Sequence, residues 1–488
     1  MARKGTSKVR TGCLTCKIRK VKCDEGKPCC HRCVSTGRKC DGYVTATSSS
    51  SLEKRALQFF CQAAGPSLSG PMDPYFWTHL VIQFSTFEPA VRHSVVAISS
   101  LYEQMHTSPG SAHRLVDNRL ALSHYNLAIR ELKSMKNEPL VLLVCILFVC
   151  VEFLLGNQQA AVQHCKHGVS ILENVEPSYP WAKQYLAPIF RRLTLFPFFF
   201  APDERSFPKL LGLGDQLPTT FQSLEEAQYY LDGILPRTVS LVRRGDAYRL
   251  GDMRGSTVAP DLLSDQGSVR SFLDEWNFRF LEFQNRASSP KILDDTLCNI
   301  ELRYGVARIW VETAFESDEI AYDQYLDRFR WMVSRAATLC SSKIAGSGGV
   351  TYAPKFIFEM GFVALLYYIV MKCRCLPTRL KALNLMKELG VSKESLWEAS
   401  NMYSVGRRII EIEHGLLLDE EDQPSTPPSW PGLPPDEMRI RDSTTDPTLT
   451  VQTDSMGQQM VRRMIGFFKR DSEGKIYVQK EFNREIAL

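Results

Sequence analysis

A chain of 488 residues, 44% hydrophobic and 23% charged with a formal net charge of +5, holds more sequence than the roughly 250–300 residues that one hydrophobic core serves. Its wholly apolar run from Leu140 to Val151 is too short for a bilayer, which needs about 20 residues, and Met1 to Arg10 is basic and polar, unlike a secretory signal. A membrane partner and a secreted, disulfide-stapled module are therefore both disfavoured, and a large core is expected.

The first element in chain order is a cysteine cluster. Cys13, Cys16 and Cys23 read C-x2-C-x6-C, and Cys30, Cys33 and Cys40 repeat that spacing 17 positions later. Seven of the 15 cysteines fall between Cys13 and Cys40. Zinc takes four thiolates in a tetrahedron, so six sulfurs can hold two Zn²⁺ ions only if two of them are shared. The pseudo-repeat makes the first cysteine of each half, Cys13 and Cys30, the natural bridges. Cys29 is the spare, because Cys30 is the one that stands three positions before Cys33. A disulfide framework is the competing reading of six cysteines, and it lacks a secretory context.

Charge singles out the same region. Residues 1–43 carry 12 Lys and Arg against Asp24, Glu25 and Asp41, whereas the remainder holds 47 basic and 51 acidic residues. A strongly basic head thus sits on a slightly acidic body, which suits a polyanion with regularly spaced phosphates. A basic tail for nuclear import is the plainer alternative, but such a tail has no need of a metal scaffold. Between Cys16 and Cys23 runs Lys17-Ile18-Arg19-Lys20-Val21-Lys22, without glycine or proline, and the composition predicts one or two helical turns. Lys17 and Lys20 then share a face at i, i+3, and Lys or Arg can donate to guanine N7 and O6 in the major groove. Val34 to Lys39 has a glycine and only two cations, more suited to clamping phosphates. Pro28 fixes the joining loop.

This array, with Arg19-Lys20 inside the basic run and Lys27-Pro28 before the fourth cysteine, resembles the fungal binuclear zinc-cluster transcription factors. The resemblance implies that the first helix docks end-on in the major groove of double-stranded DNA over a CGG-type triplet. It places base contacts on Lys20 with Arg19 beside it, and phosphate contacts on Lys17 and Lys22. Many relatives continue into a heptad coiled coil. Here Val44 to Ser51 is a Ser/Thr linker, and Leu52 to Gly65 holds fewer than two heptads where three or four are needed. Either the large helical domain then self-associates, or the protein reads single triplets with help from a partner.

The body reads as helical throughout, arranged as a superhelix or two lobes. Ala121, Leu122, Tyr125, Ala128, Ile129 and Leu132 recur at helical spacing; Pro139 breaks the chain, Leu140 to Val151 is a buried core helix, and a third helix follows Gly156-Asn157 with small residues for close approach. Ser223-x-x-Glu226 is a capping box opening a helix that Pro236 kinks or ends. Further helices are expected over 269–286, 300–315 and 355–372, loops over 245–267 and 341–349, and no alternating strand series is visible. Phe76-Trp77, Glu88 to His93, Ala121 to Asn126 and Phe153 to Asn157 resemble the fungal-specific transcription factor domain, which implies an all-helical regulatory body.

Other clusters have plain readings. His164 and His167 fit a hydrogen-bonded core histidine and a solvated one better than a metal pair; Cys373 and Cys375 fit a core thiol and a surface thiol. The acidic, proline-rich stretch 419–436 reads as an exposed loop, or as a coactivator contact through Trp430 and Leu433. No catalytic constellation appears, so no enzyme is expected. The expected organisation is a basic tail (1–12), a small two-helix binuclear zinc cluster (13–43), a linker (44–52), a large all-α regulatory domain (53–440) and a C-terminal segment (441–488). The function expected is a nuclear, sequence-specific regulator of RNA polymerase II transcription with coactivators or corepressors as partners; the alternative is a ligand-sensing or protein-interaction regulator for which the cluster is mainly a tether.

Overall fold

The computed structural model describes residues 12–13, 15–16, 21–26, 30–38, 40, 51–107, 118–175, 179–201, 206–211, 216–286, 294–346, 354–453 and 459–483. After a short helix α1 (His31–Val34) in the cysteine-rich module, the body opens with α2 (Ser51–Phe59), α3 (Gly65–Leu68) and α4 (Val81–Ser85), joined through π-helical turns at Phe60–Ala64 and Phe76–Leu80. Four longer helices follow: α5 (Pro89–Thr107), α6 (Arg119–Ser134), α7 (Glu138–Leu155) and α8 (Gln158–Val175). Short α9 (Pro180–Tyr185), α10 (Ala187–Leu193) and α11 (Leu195–Phe200) lead to α12 (Leu224–Arg249), α13 (Pro260–Arg286), α14 (Asp295–Glu312) and α15 (Leu326–Gly346). Beyond strand β1 (Phe356–Ile357) come α16 (Val363–Lys372), α17 (Leu376–Leu389) and α18 (Ala399–His414), with β2 (Lys393–Glu394) and β3 (Trp397–Glu398) between the last two.

Successive cores run along this chain. One is built on Trp77, Tyr102, Phe190 and the whole girth of α7; a second surrounds Trp276 between α12, α13 and α14; a third fills α14 to α17. Trp310 and Met360 pack against both of the latter, and Phe356 and Phe358 join the first core, so the cores are continuous. α7 is the one described helix long and apolar enough to cross a membrane. It is apolar all round because neighbours cover every side of it, with Leu142, Leu143, Ile146, Leu147 and Val149 fully buried, each contributing about 1.5–3 kcal/mol relative to exposure. Pro139 lies inside its first turn, where the missing N–H costs nothing, Asn137 caps it through the Leu140 N–H at 3.3 Å, and Gly156 ends it at φ 72°. α8 approaches closely because Gly168 has no side chain: a Cβ there would lie 2.3 Å from the Phe190 ring.

Several helix bounds differ from the sequence reading. Leu122 is 43% exposed although it fits the apolar spacing; α6 instead buries Ala121, His124, Tyr125 and Ala128. Ser223 does cap α12 by accepting from the Glu226 N–H at 3.1 Å, but the helix runs through Pro236 to Arg249. The expected loop 245–267 therefore shrinks to the stretch between Arg249 and Pro260, and α15 continues to Gly346 through what reads as a loop. The expected helix over 355–372 starts only at Val363. Its first turn is fixed by a remote side chain: the buried Glu394 carboxylate accepts from the N–H groups of Gly361, Phe362 and Val363 at 3.0–3.2 Å, leaving the preceding residues free to pair as β1 with β2.

The C-terminal segment forms a β-meander, β4 (Asp442–Thr453), β5 (Gln459–Arg470) and β6 (Ile476–Phe482), in antiparallel order. Its pattern hides the strand period because Met460, Val461, Met464, Ile465, Phe467 and Phe468 also fit helical spacing; Ile465 and Phe467, two apart on one face, are buried against Met371, Val405 and Ile409. A buried ion network completes the docking. Lys372 Nζ and Arg374 reach Glu319 at 2.9 Å, Arg379 meets Glu413 at 2.7 Å, the Ile440 N–H donates to Glu413 at 2.7 Å, and Lys372 also donates to the Arg441 carbonyl at 2.6 Å.

Burial alone would raise the carboxyls of Glu319 and Glu413, yet the facing Lys372, Arg374 and Arg379 hold both below the ordinary glutamate value. Their stabilisation is complete above the unfolded value of about 4.3 and is lost as pH falls through the lower folded values. Glu413→Gln strands the Arg379 guanidinium without its counter-charge, while Arg374 keeps Glu319, and should cost about 3–5 kcal/mol in urea unfolding at pH 7, and the difference from the parent chain should shrink at acid pH.

Candidate metal centre and nucleic-acid interface

Six cysteines converge in the N-terminal module. The sulfurs of Cys13, Cys16, Cys23 and Cys30 lie within 4.8 Å of one another, and so do those of Cys13, Cys30, Cys33 and Cys40. The two quartets share Cys13 and Cys30, whose sulfurs are 3.6 Å apart. Cys13–Cys33 and Cys16–Cys30 stand at 3.7 Å. A tetrahedron with Zn–S of ~2.3 Å has sulfur–sulfur edges of about 3.8 Å, which matches these separations; Cys16 and Cys33, one from each quartet, also stand at 3.8 Å, so two edge-sharing tetrahedra require those two sulfurs to move apart. Backbone N–H groups point at the sulfurs: Cys16 N–H donates to Cys13 Sγ at 3.4 Å, Cys33 N–H to Cys30 Sγ at 3.3 Å, and Cys13 and Glu25 N–H to Cys23 Sγ at 3.4 Å. Such donors offset thiolate charge. Burial pushes the Cys13 thiol up to about 12 and raises Cys16 and Cys30 as well; a bound dication reverses that balance by favouring the thiolates, and its uptake releases protons.

Two residues without a sulfur hold the cage. Asp24 bridges the halves: its carboxylate accepts from the His31 N–H at 2.9 Å and the Arg32 N–H at 2.8 Å, at the start of α1. Those amide bonds, that of Arg32 first, hold its carboxyl below the usual aspartate value. Gly12 touches the opposite side, where a Cβ would stand 2.8 Å from Cys23 Cβ. The sequence reading missed both. An Asp beside a cluster cysteine does signal a cap, but only the fold identifies which amides it meets.

The basic run is partly described. Lys22 is exposed, next to Val21, whose N–H donates to the Cys16 carbonyl at 3.1 Å; Lys17, Arg19 and Lys20 lie outside the described residues. In the body, His164 is half-buried and pairs with the Tyr125 hydroxyl at 3.2 Å, while His167 is exposed. Cys373 is buried and Cys375 partly exposed. The acidic stretch is tied down: Asp422 is fully buried against Arg407 at 3.1 Å and Lys387 at 2.5 Å, and Trp430 Nε1 donates to the Glu413 carbonyl at 3.1 Å. Leu433 remains 39% exposed.

Residues 11–50 match the fungal Zn(2)-Cys(6) binuclear cluster domain. The aspercryptin biosynthesis cluster-specific transcription regulator of Emericella nidulans is 27% identical over 342 residues, covering 56% of this chain and 54% of its own. The transcription regulator lscL of Purpureocillium lilacinum is 30% identical over 200 residues, 33% of this chain and 48% of its own, and the transcriptional regulatory protein moc3 of Schizosaccharomyces pombe is 56% identical over 41 residues, 8% of each. The chain thus spans about half the length of the first two relatives. No solved structure matches. Because Gly12 packs on Cys23, Gly12→Ala should weaken zinc retention roughly tenfold, the scale of changes just outside a metal's ligands, measured as release to a chromogenic chelator; Lys22→Ala, on the exposed side, should release metal at the parent rate. Six sulfurs in two quartets that share Cys13 and Cys30 and the match over the same residues make residues 11–50 a fungal Zn(2)-Cys(6) binuclear cluster domain.

Proposed function

We propose that this chain is a nuclear, sequence-specific DNA-binding transcription factor that regulates RNA polymerase II transcription. The observation that carries the reading is the pair of sulfur quartets sharing Cys13 and Cys30, which brackets a run of four cations between Cys16 and Cys23. Two zinc ions held by Cys13, Cys16, Cys23, Cys30, Cys33 and Cys40 stiffen that run, so its cations meet a groove without first losing the entropy of a disordered tail. Lys20, with Arg19, reads a CGG-type triplet, and Lys17 and Lys22 contact phosphates. Similarity to transcription regulators extends over 56% of the chain, far past the cluster, which supports assigning the helical body as a fungal-specific transcription factor domain. That body carries regulation, through coactivators or corepressors and through self-association; with Trp430 and Asp422 engaged by the body itself, Leu433 is the exposed apolar contact left in the 419–436 segment.

The shared sulfurs make a distinctive demand. Cys13→Ser removes a ligand from both tetrahedra and should cost both metals, whereas Cys16→Ser touches one quartet; native mass spectrometry of the full chain counts the ions, and an equal loss from both variants would contradict the bridging assignment. On DNA, Lys20→Ala should cost about 1–3 kcal/mol at the triplet and relax discrimination against a mutated triplet, while Lys22→Ala should weaken all sequences alike and reduce the salt slope by about one. Gel-shift titrations at several salt concentrations separate the two, and a flat salt response would refute the phosphate contacts.

A further inference from the structure

The helical body encloses a cavity of about 470 Å³, within the range of small-molecule sites. It lies between α11, α12, α14, α16 and α18, with Asp442, Ser443, Thr444 and Thr445 of β4 and Arg463 of β5 forming one wall. Two features set it apart from a packing defect.

The first is a continuous aromatic wall. Tyr368 stands 5.3 Å from Trp310, Trp310 5.8 Å from Phe199, Phe199 5.6 Å from Trp397, and Trp397 4.9 Å from Phe200, centroid to centroid. All five rings line the cavity. The second is a set of buried donors that no protein atom satisfies: Tyr368 Oη, Trp397 Nε1, Arg249 Nε, and both Nε and Nη1 of Arg303. Arg303 is 2% exposed and Arg249 6%. Each guanidinium already spends one nitrogen on an acid, Arg303 on Asp232 and Arg249 on Asp246 at 3.1 Å, so the remaining N–H groups are surplus. Buried groups left unpaired are costly, and several around one cavity are uncommon in a well-packed protein. Every one of them is a donor. The lining also carries Asp246, Glu398, Asp442 and Asp446, but its seven Lys and Arg outnumber these four acids, so the complement is a molecule rich in acceptors that carries negative charge.

We infer that this cavity is a binding site for a small organic molecule that stacks an aromatic or other flat apolar body on the ring wall and turns carboxylate- or sulfonate-type oxygens toward Arg303, Arg249, Tyr368 and Trp397. Aromatic faces supply affinity for the body, and the guanidinium N–H groups supply charge-assisted bonds to the anionic oxygens. The inference concerns the helical body and stands apart from the DNA-binding reading.

The probe is 8-anilino-1-naphthalenesulfonate, a flat aromatic anion whose fluorescence rises in apolar surroundings, added to the zinc-loaded full chain. One molecule should bind per chain, and the neutral N-phenyl-1-naphthylamine, which lacks the sulfonate, should bind at least tenfold more weakly. Tyr368→Phe and Trp397→Phe remove only an O–H or an N–H and keep the packing, so each should weaken the sulfonate dye by about three- to tenfold while leaving the neutral dye unchanged. Ala364→Trp places an indole in the cavity and should abolish binding of both. Melting curves and gel-shift titrations on the same samples check that each variant is folded and DNA-competent, so a failure of the DNA reading and a failure of this site give different results. Stoichiometric binding that ignores all three substitutions, or no binding by a folded chain, would overturn the inference.

Discussion

Two tetrahedra that share an edge are a severe geometric constraint, and the N-terminal module is organised around it. Six sulfurs must sit about 3.8 Å from their neighbours although they come from positions up to 27 residues apart. Among the described residues of that module, the buried apolar cluster consists of cysteines, with Val21 and Cys40 packed against it. The metal therefore replaces a hydrophobic core, and the folding free energy of so short a segment is metal-binding free energy. Gly12 and Asp24 matter for the same reason. One permits the first cysteine loop to close on Cys23, and the other ties that loop to the start of α1, so the shared edge is reached from both sides.

The body solves a different problem. Three apolar cores provide ample burial, yet its C-terminal end is joined by charge. Glu319, Lys372, Arg374, Arg379 and Glu413 are all at least 91% buried, and a buried ion network adds little stability over an apolar packing of the same shape. What it gives is position. The acids can be satisfied only where the 3₁₀ turn Glu319–Tyr325, the end of α16, α18 and the strand entering β4 meet, so the meander has a single register against the helices. Because β4 and β5 also wall the cavity, that register sets the cavity's shape.

Legibility of the sequence followed the range of the interactions. The convergence of the six cysteines was legible, because a pseudo-repeat in spacing is a property of the sequence itself. α7 was readable because its 12-residue run is apolar on every side and is followed at once by Glu152, and the capped start of α12 because Ser223 and Glu226 are neighbours. The late start of α16 was not, since its cap is Glu394, over 30 residues away. The end of α12 was misjudged because Pro236 costs one hydrogen bond that tertiary packing on both sides replaces. The meander was hidden by an apolar spacing compatible with helix and strand alike, and the choice was made by Met371, Val405 and Ile409 on other elements. Lys17, Arg19 and Lys20 remain assignments from the cysteine frame.

The arrangement also bears on how a ligand in the body could be felt elsewhere. A ligand shifts an equilibrium only by its differential affinity for the two states. In this chain three of the four donor residues belong to helices, Arg249 on α12, Arg303 on α14 and Tyr368 on α16, with Trp397 on β3, while another part of the lining belongs to β4 and β5. Lys372, one turn beyond Tyr368 on α16, donates both to Glu319 and to the Arg441 carbonyl at the mouth of β4. An occupant that engages the helix donors and the β4–β5 wall together therefore favours the docked meander over any undocked one, and the ion network makes that docking close to all-or-none, because removing one partner leaves the others buried and uncompensated.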